Sequence, residues 1–176
     1  MRFLAPLSLL LAVLAGAPTS AQQARAGEKA DLVVVDKSKR TLWVYQDGKA
    51  IRTYRGLQFG DAPQGHKRFQ GDEKTPEGRY TLDYANPQSS YYLSLHVSYP
   101  NAQDRAYARA RGRSPGGDIF LHGQPNGMPF DERVEGDWTD GCIALSNREI
   151  AFARSLSAAE TSLAPVSAAS ALTNCS

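Results

Sequence analysis

Cysteine is scarce in this chain of 176 residues, which contains only Cys142 and Cys175 together with three histidines. So few thiols exclude a small fold held by several disulfides, and no Cys or His pair has the spacing of a zinc site. An excess of one charge is also missing, because 20 basic residues nearly balance 18 acidic ones. We therefore expect no metal, no nucleic-acid partner and no polybasic membrane surface.

Long hydrophobic runs are also lacking, because the one apolar run, Phe3 to Leu14, is too short to span a bilayer. Arg2 precedes this run and small residues follow it up to Ala21, an arrangement typical of a secretory signal peptide. We predict a signal peptide over residues 1–21 and a polar linker over residues 22–30. The mature protein would then have no stable membrane insertion, and an uncleaved anchor is the alternative.

Apolar and β-branched runs predict a meander of three antiparallel strands at the start of the folded part. The first two runs cover residues 32–35 and 41–45, and Asp47-Gly48 is a hairpin signal that leads to a third run over residues 49–54. Further strands are expected near residues 78–84, 91–97 and 119–121. The pattern predicts a mainly β domain over residues 31–156, which is long enough to bury a core without disulfides.

Two short helices are indicated by their caps. Asn101 begins a helix that Gly112 ends, and Ser146 with Glu149 forms a capping box for a second helix that runs to about Leu156. Four arginines lie on or after the first helix, either as a solvated face or as attractors of carboxylates: Arg105, Arg109, Arg111 and Arg113. Residues 157–176 are rich in Ala and Ser, so we expect a mobile or loosely helical tail rather than a strand.

The residues best suited to chemistry are His122 and Cys142. A thiolate is a strong nucleophile, and an imidazole can take the thiol proton and later protonate a leaving amine. Gly141 lacks a Cβ atom and permits a sharp turn, in which successive N–H groups can face an oxyanion. A lone cysteine is more often a small buried residue than a nucleophile, so the surrounding pattern has to decide.

Three motifs surround these residues in a fixed order: Thr75-Pro76-Glu77-Gly78-Arg79-Tyr80, His122-Gly123 and Thr139-Asp140-Gly141-Cys142. This order resembles the catalytic domain of the L,D-transpeptidase family, also called YkuD-like, over residues from about Asp31 to about Phe152. The resemblance implies an L,D-transpeptidase-type β-sandwich with short flanking helices. It also implies an enzyme of the periplasm or cell envelope.

The resemblance further implies roles for the site residues. Cys142 would attack the bond between a diamino acid and D-Ala in a peptidoglycan stem peptide, and His122 would act as base and then as acid. The acyl group would pass to an amine of another stem or of a wall-anchored protein, without a cofactor. Four further residues are expected to bind substrate or the oxyanion: Gly141, Gly123, Thr139 and Asp140.

Two positions depart from the family pattern, because many members have His at the position of Asp140 and Arg at that of Ala144. Since these positions border the substrate in the family, an L,D-carboxypeptidase or a crosslink hydrolase of the same fold is an alternative. A non-catalytic wall-binding module is another. The Val-rich last strand of the family also has no evident counterpart after Leu156.

The remaining histidines are not expected to be catalytic. His66 is expected to be solvated in a charged loop, and His96 to face a neighbouring side chain within a strand. A disulfide between Cys142 and Cys175 would block the nucleophile, so we predict that both thiols are free.

Overall fold

The computed structural model describes residues 28–156 and the backbone of residues 161–165. The predicted signal peptide and Cys175 lie outside the described residues, as does most of the linker. Ala30, at the end of the predicted linker, is buried in the core, and its N–H donates to the carbonyl of Leu156 at 2.9 Å. In the described part of the chain, no helix is long and apolar enough to cross a membrane.

The fold is a mainly β domain with two short helices, as predicted. Its strands are β1 (Leu32–Asp36), β2 (Thr41–Gln46), β3 (Lys49–Arg55), β4 (Tyr80–Asn86), β5 (Ser94–Val97), β6 (Phe120–His122), β7 (Ile143–Ala144) and β8 (Thr161–Pro165). Its helices are α1 (Ala102–Arg109) and α2 (Asn147–Leu156). The strands are hydrogen-bonded in the order β3-β2-β1-β8-β4-β5-β6-β7.

The predicted meander forms because its apolar residues alternate in register. Val33 lies opposite Val44, and Val35 lies opposite Leu42, so all four side chains face the core. The turn between β2 and β3 consists of Asp47 and Gly48, with φ values of 50° and 73°. Two successive positive φ values match the right-handed twist of the flanking strands, which is why this dipeptide makes the hairpin.

The sheet folds over on itself to make the sandwich. Three side chains of the first half, Val33, Leu42 and Val44, line the same small interior space as Leu82, Leu95 and Leu121 of the second half. Ile150 of α2, which is fully buried, also lines this space. The predicted β-sandwich with flanking helices is therefore confirmed, and its two layers are parts of one continuous hydrogen-bonded ladder.

Both helix caps have the predicted geometry. The side chain of Asn101 accepts hydrogen bonds from the N–H groups of Gln103 and Asp104, and the carboxylate of Asp104 accepts from the N–H of Asn101 at 2.9 Å. At α2, Glu149 accepts from the N–H of Ser146 at 2.9 Å. These bonds satisfy donors that the first turn of a helix leaves without partners.

The prediction for the tail is wrong at residues 161–165. These residues form β8, which pairs in parallel with β1 and antiparallel with β4. The strand therefore lies inside the sheet and joins the β3-β2-β1 half to the β4-β5-β6-β7 half. Composition did not reveal the strand because backbone pairing on both edges can hold a short segment that is rich in small residues.

We expect truncation of the chain after Leu156 to lower the free energy of unfolding by several kcal/mol, because each lost ladder hydrogen bond is worth about 0.5–1.5 kcal/mol. Thermal unfolding followed by circular dichroism measures this loss. A chain that ends after Pro165 keeps β8 and is the matched control. Equal unfolding midpoints for the two truncated chains would contradict the central position of β8.

Candidate active site

Two parallel strands bring the thiol and imidazole segments together. In the pairing of β6 with β7, Leu121 lies opposite Ile143 and His122 lies opposite Ala144. Leu121 and Ile143 face the core. Because side chains alternate along a strand, His122 and Cys142 both belong to the other face of the sheet.

A buried amide pair supports these short strands. The N–H and C=O of Ala144 are both bonded to the backbone of Gln58, at 2.9 and 3.1 Å. The amide of Gln124 is fully buried and donates to Leu145 O at 2.6 Å and to Gln58 Oε1 at 3.0 Å. These bonds tie β7 to the segment that follows β3. No local pattern in the sequence points to either glutamine, because their partners are distant along the chain.

His122 is held as a neutral base. Its Nδ1 lies 2.6 Å from the carbonyl oxygen of Gly123, and because a carbonyl only accepts, Nδ1 carries the proton and Nε2 keeps its lone pair. Burial lowers the pKa of His122, although the hydrogen bond to Gly123 acts in the opposite direction. The resting imidazole is therefore uncharged, with an accepting nitrogen free for a proton.

Two aromatic side chains cover the imidazole, and sequence reasoning missed both. The ring centroid of Tyr91 lies 4.8 Å from that of His122, and that of Trp138 lies at 5.5 Å. The loop that carries Tyr91 is fixed in place, because the N–H of Gly123 donates to Tyr91 O at 3.1 Å. Trp138 directly precedes the Thr139 motif, and this adjacency was the only signal available in the sequence.

Cys142 is partly buried and has a protonated resting thiol. Its Sγ lies 3.5 Å from the carbonyl oxygen of Asp118. Burial raises the pKa of the Cys142 thiol, while the N–H of Phe120 acts to lower it. Among the contacts of residues 28–156, Sγ makes no hydrogen bond to His122. Rotation about the Cα–Cβ bond of Cys142 to another staggered position is the simplest way to redirect the thiol.

Gly141 is required at its position by both conformation and space. Its φ is +115°, and a Cβ atom built there would lie 2.5 Å from the carbonyl oxygen of Lys74. The hydroxyl of Thr75 donates to the carbonyl of Gly141 at 2.9 Å. This contact ties the Thr75 motif to the Cys142 motif, which are 66 residues apart.

The two N–H groups predicted to hold an oxyanion differ in their hydrogen bonds. The N–H of Gly141 donates to the hydroxyl of Thr139 at 3.3 Å, and that hydroxyl donates to the carbonyl of Cys142 at 2.9 Å. Thr139 thus shapes the turn around the nucleophile and engages one of the two expected oxyanion donors. In the described part of the chain, the N–H of Cys142 has no such partner, so it is the better donor for an oxyanion.

Three other predicted positions differ in their surroundings. Gly123 is buried, and a Cβ atom there would lie 2.5 Å from Asn147 Oδ1, so it acts in packing and as the acceptor for His122. Ala144 is fully buried, which corrects the expectation that it borders the substrate. Asp140 is exposed.

An open groove of about 550 Å³ begins beside the nucleophile. Its lining includes Asp118, whose carbonyl oxygen lies 3.5 Å from the Cys142 sulfur, and Asp140, which lies close to Cys142 along the chain. Its other lining residues are Lys67, Gln70, Gly71, Glu73, Ser114, Gly116 and Gly117. The volume is in the range of small-molecule and peptide sites.

The prediction for His66 is wrong, because this residue is mostly buried and fully hydrogen-bonded. Its Nδ1 accepts from the N–H of Glu77 at 2.7 Å, so Nε2 carries the proton toward Asp104 Oδ1 at 3.0 Å. The other oxygen of Asp104 accepts from the hydroxyl of Tyr80 at 2.9 Å. His66 thus connects the Glu77 loop to helix α1.

The prediction for His96 is confirmed. Its Nδ1 lies 2.6 Å from Asp83 Oδ1, and its ring is stacked on Tyr84 with a centroid distance of 4.6 Å. Both partners belong to the neighbouring strand β4. His96 is therefore a cross-strand partner, and within residues 28–156 it makes no hydrogen bond to Cys142.

Known proteins resemble this chain in sequence. The family model of the YkuD L,D-transpeptidase catalytic domain matches residues 30–155. YafK of Escherichia coli (strain K12) is 27% identical over 124 residues, which cover 67% of this chain and 43% of YafK. This chain therefore spans less than half the length of that curated relative.

Solved structures give the same fold. The helical cell shape determining protein Pgp2 of Campylobacter jejuni superposes with a TM-score of 0.61 at 28% identity, covering 79% of this chain and 48% of Pgp2. An L,D-transpeptidase of Mycobacterium smegmatis superposes with a TM-score of 0.50 at 17% identity, covering 78% of this chain and 59% of that structure. The second likeness bears on the fold alone.

Replacement of Gly141 by Ala is expected to lower the stability by roughly 1–3 kcal/mol from backbone strain alone, with a further cost from the contact with Lys74 O. Thermal unfolding measures the change. Gly127→Ala is the matched control, because Gly127 also has a positive φ of 93° but open space around it. Equal losses in the two variants would contradict the steric requirement at Gly141.

The raised pKa of Cys142 predicts slow alkylation of the resting thiol by iodoacetamide at neutral pH. The rate should rise only above the ordinary thiol pKa of 9.0, since burial favours the protonated form. Mass spectrometry of the Cys142 peptide measures this rate in a Cys175→Ala background. Rapid alkylation at pH 6 that His122→Ala abolishes would instead indicate a preformed thiolate–imidazolium pair.

Proposed function

This chain belongs to the L,D-transpeptidase catalytic domain family, and from that premise we propose that Cys142 and His122 catalyse acyl transfer on peptidoglycan stem peptides. The observation that carries the proposal is the pairing of β6 with β7, which puts both residues on one face of the sheet. The tautomer of His122 supports it, because its lone pair is on Nε2 and away from Gly123.

The first half of the reaction forms an acyl-enzyme. Nε2 of His122 takes the thiol proton, and the Cys142 sulfur attacks the carbonyl carbon between the diamino acid and D-Ala. The N–H of Cys142 stabilises the negative charge that develops on the carbonyl oxygen. When the tetrahedral intermediate collapses, the C–N bond breaks and His122 returns its proton to the amine of departing D-Ala. The product is a thioester at Cys142.

The second half transfers the acyl group to an amine. Neutral His122 takes a proton from the attacking amine as its nitrogen bonds to the thioester carbonyl, and the thiolate leaves and is reprotonated. An amine of a second stem peptide gives a crosslink, and an amine of a wall-anchored protein gives an attachment. These steps use only side chains and backbone of this domain, so the proposal includes no cofactor.

Hydrolysis is the second candidate, and the exposed carboxylate of Asp140 in the groove favours it. A solved relative at 28% identity is called a helical cell shape determining protein, a name that specifies neither transfer nor hydrolysis. Water in place of an amine would release the acyl group and make the enzyme an L,D-carboxypeptidase or a crosslink hydrolase. Exposed Asp140, which replaces a common family histidine, lies where an acceptor would approach.

The substrate determines the proposed location. Peptidoglycan lies outside the cytoplasmic membrane, so the enzyme would work in the periplasm or cell envelope. Residues 1–21, with the pattern of a signal peptide, would direct export. Because this chain spans only part of its relatives, the activity of those longer proteins is not assumed for it.

Incubation of the purified protein with muropeptides, followed by mass spectrometry, tests the proposed function. New dimers indicate transpeptidation, shortened monomers indicate hydrolysis, and unchanged muropeptides indicate the non-catalytic alternative. Cys142→Ala should abolish turnover, and His122→Ala should reduce it on the order of a hundredfold or more, because base and acid are lost together. The control His96→Ala should retain activity, since His96 bonds only to neighbouring strand residues.

A further inference from the structure

Three arginines lie on two aromatic rings beside the groove, and we call Arg68, Arg111 and Arg113 the arginine patch. The guanidinium carbons of Arg68 and Arg111 lie 4.4 and 3.6 Å from the ring centroid of Tyr107. That of Arg113 lies 3.9 Å from the centroid of Phe69. The two rings are themselves 5.9 Å apart. Such cation–π contacts hold the guanidinium groups in place while leaving N–H groups at their edges available. Nη1 of Arg111 also donates to the carbonyl of Tyr107 at 3.2 Å, which fixes this guanidinium further.

The arginine patch carries positive charge that the described residues do not neutralise. All three arginines are exposed, and in the part of the chain that the structure describes none of them forms an ion pair with a carboxylate. Several other described arginines are likewise unpaired, among them Arg105, Arg109 and Arg154. The patch differs from them because its three guanidinium groups are stacked on two neighbouring aromatic rings.

The arginine patch directly adjoins the groove beside Cys142. Phe69 and Arg113 directly precede Gln70 and Ser114, which line the groove and are joined by a backbone hydrogen bond of 2.9 Å. The lining near the nucleophile contains Asp118 and Asp140, and its one lysine, Lys67, is paired with Asp72 at 2.8 Å. The groove thus has an acidic end beside the thiol and a basic edge at the arginine patch.

We propose that the arginine patch binds carboxylates of the stem peptide, at a distance along the groove from the bond that Cys142 attacks. This inference rests on the proposed function and deepens it. A stem peptide with a diamino acid next to the scissile bond carries an ammonium group there, which suits the acidic end. Its carboxylates further along the chain suit the guanidinium groups, which bind planar carboxylates through two hydrogen bonds.

The structure also gives a reason why arginine serves here better than lysine. A guanidinium can stack on an aromatic ring through its face and donate hydrogen bonds through its edge at the same time. The rings of Tyr107 and Phe69 thereby reduce the rotamer entropy that the arginines lose when a ligand binds. The patch determines specificity through binding and takes no part in bond making, so it should affect KM and leave kcat unchanged.

The test is a triple variant, Arg68→Gln, Arg111→Gln and Arg113→Gln. Its KM for a tetrapeptide stem with free carboxylates should rise on the order of tenfold at unchanged kcat, because each exposed charge pair contributes little and three are lost together. Arg154→Gln, an exposed arginine on α2, is the control for loss of charge alone. The rate of iodoacetamide alkylation at Cys142 should be equal in all variants, which checks the fold around the thiol.

Amidated stem peptides separate the proposed contact from a general charge effect. The wild-type protein should lose affinity for stems whose carboxylates are amidated, and the triple variant should bind free and amidated stems equally. Measuring these affinities by calorimetry on Cys142→Ala proteins keeps the test independent of turnover. If the wild-type protein does not convert muropeptides, the proposed function is contradicted. If the triple variant and its parent bind stems with free carboxylates equally well, this inference is overturned.

An anionic lipid surface is the competing ligand for an arginine patch. Vesicles that contain an anionic phospholipid should bind the triple variant and the wild-type protein equally weakly. Strong vesicle binding that requires the three arginines, together with unchanged affinity for stem peptides, would overturn the assignment to carboxylates of the stem.

Discussion

The parallel pairing of β6 with β7 is the constraint on which the rest of the site depends. These strands contain only three and two residues, too few to be stable alone. The double backbone bond between Ala144 and Gln58, with the buried amide of Gln124, supplies the missing support. Because a one-residue shift in register would turn Cys142 to the face opposite His122, these bonds hold the chemistry in place.

The same burial that fixes the site also keeps it uncharged at rest. Desolvation raises the pKa of Cys142 and lowers the pKa of His122, so thiol and imidazole are both neutral near pH 7. In the proposed mechanism the proton moves from sulfur to nitrogen during attack, and no reactive thiolate is stored at rest. Because oxidation follows thiolate character, a protonated thiol is also less susceptible to oxidation.

Charged side chains along the groove surround the neutral thiol and imidazole. Carboxylates lie near the thiol, and the guanidinium groups on Tyr107 and Phe69 lie at the groove's other edge. A ligand with the opposite order of charges would be oriented before it reaches the nucleophile. Orientation by remote contacts is one way in which binding energy contributes to specificity without any group that touches the reacting bond.

The sequence alone determined the local structure, because each signal acts over a few residues. The alternation in β1 and β2, the Asp47-Gly48 turn and the caps at Asn101 and Ser146 were all correctly predicted. The pattern of motifs also identified the family, and with it the proposed nucleophile and base. Gly141 was correctly expected to need a backbone conformation that favours glycine.

Only the tertiary structure decided what depends on distant partners. It placed β8 between β1 and β4, although the composition of that segment suggested a tail. Hydrogen bonds to both neighbouring strands hold this segment in the sheet, although its small side chains have a low strand propensity. It also buried His66 against Asp104 and covered His122 with Tyr91, contacts across 38 and 31 residues of chain that no local pattern encodes. Local physics thus fixes turns, caps and strands, whereas burial and electrostatics arise only when distant segments meet.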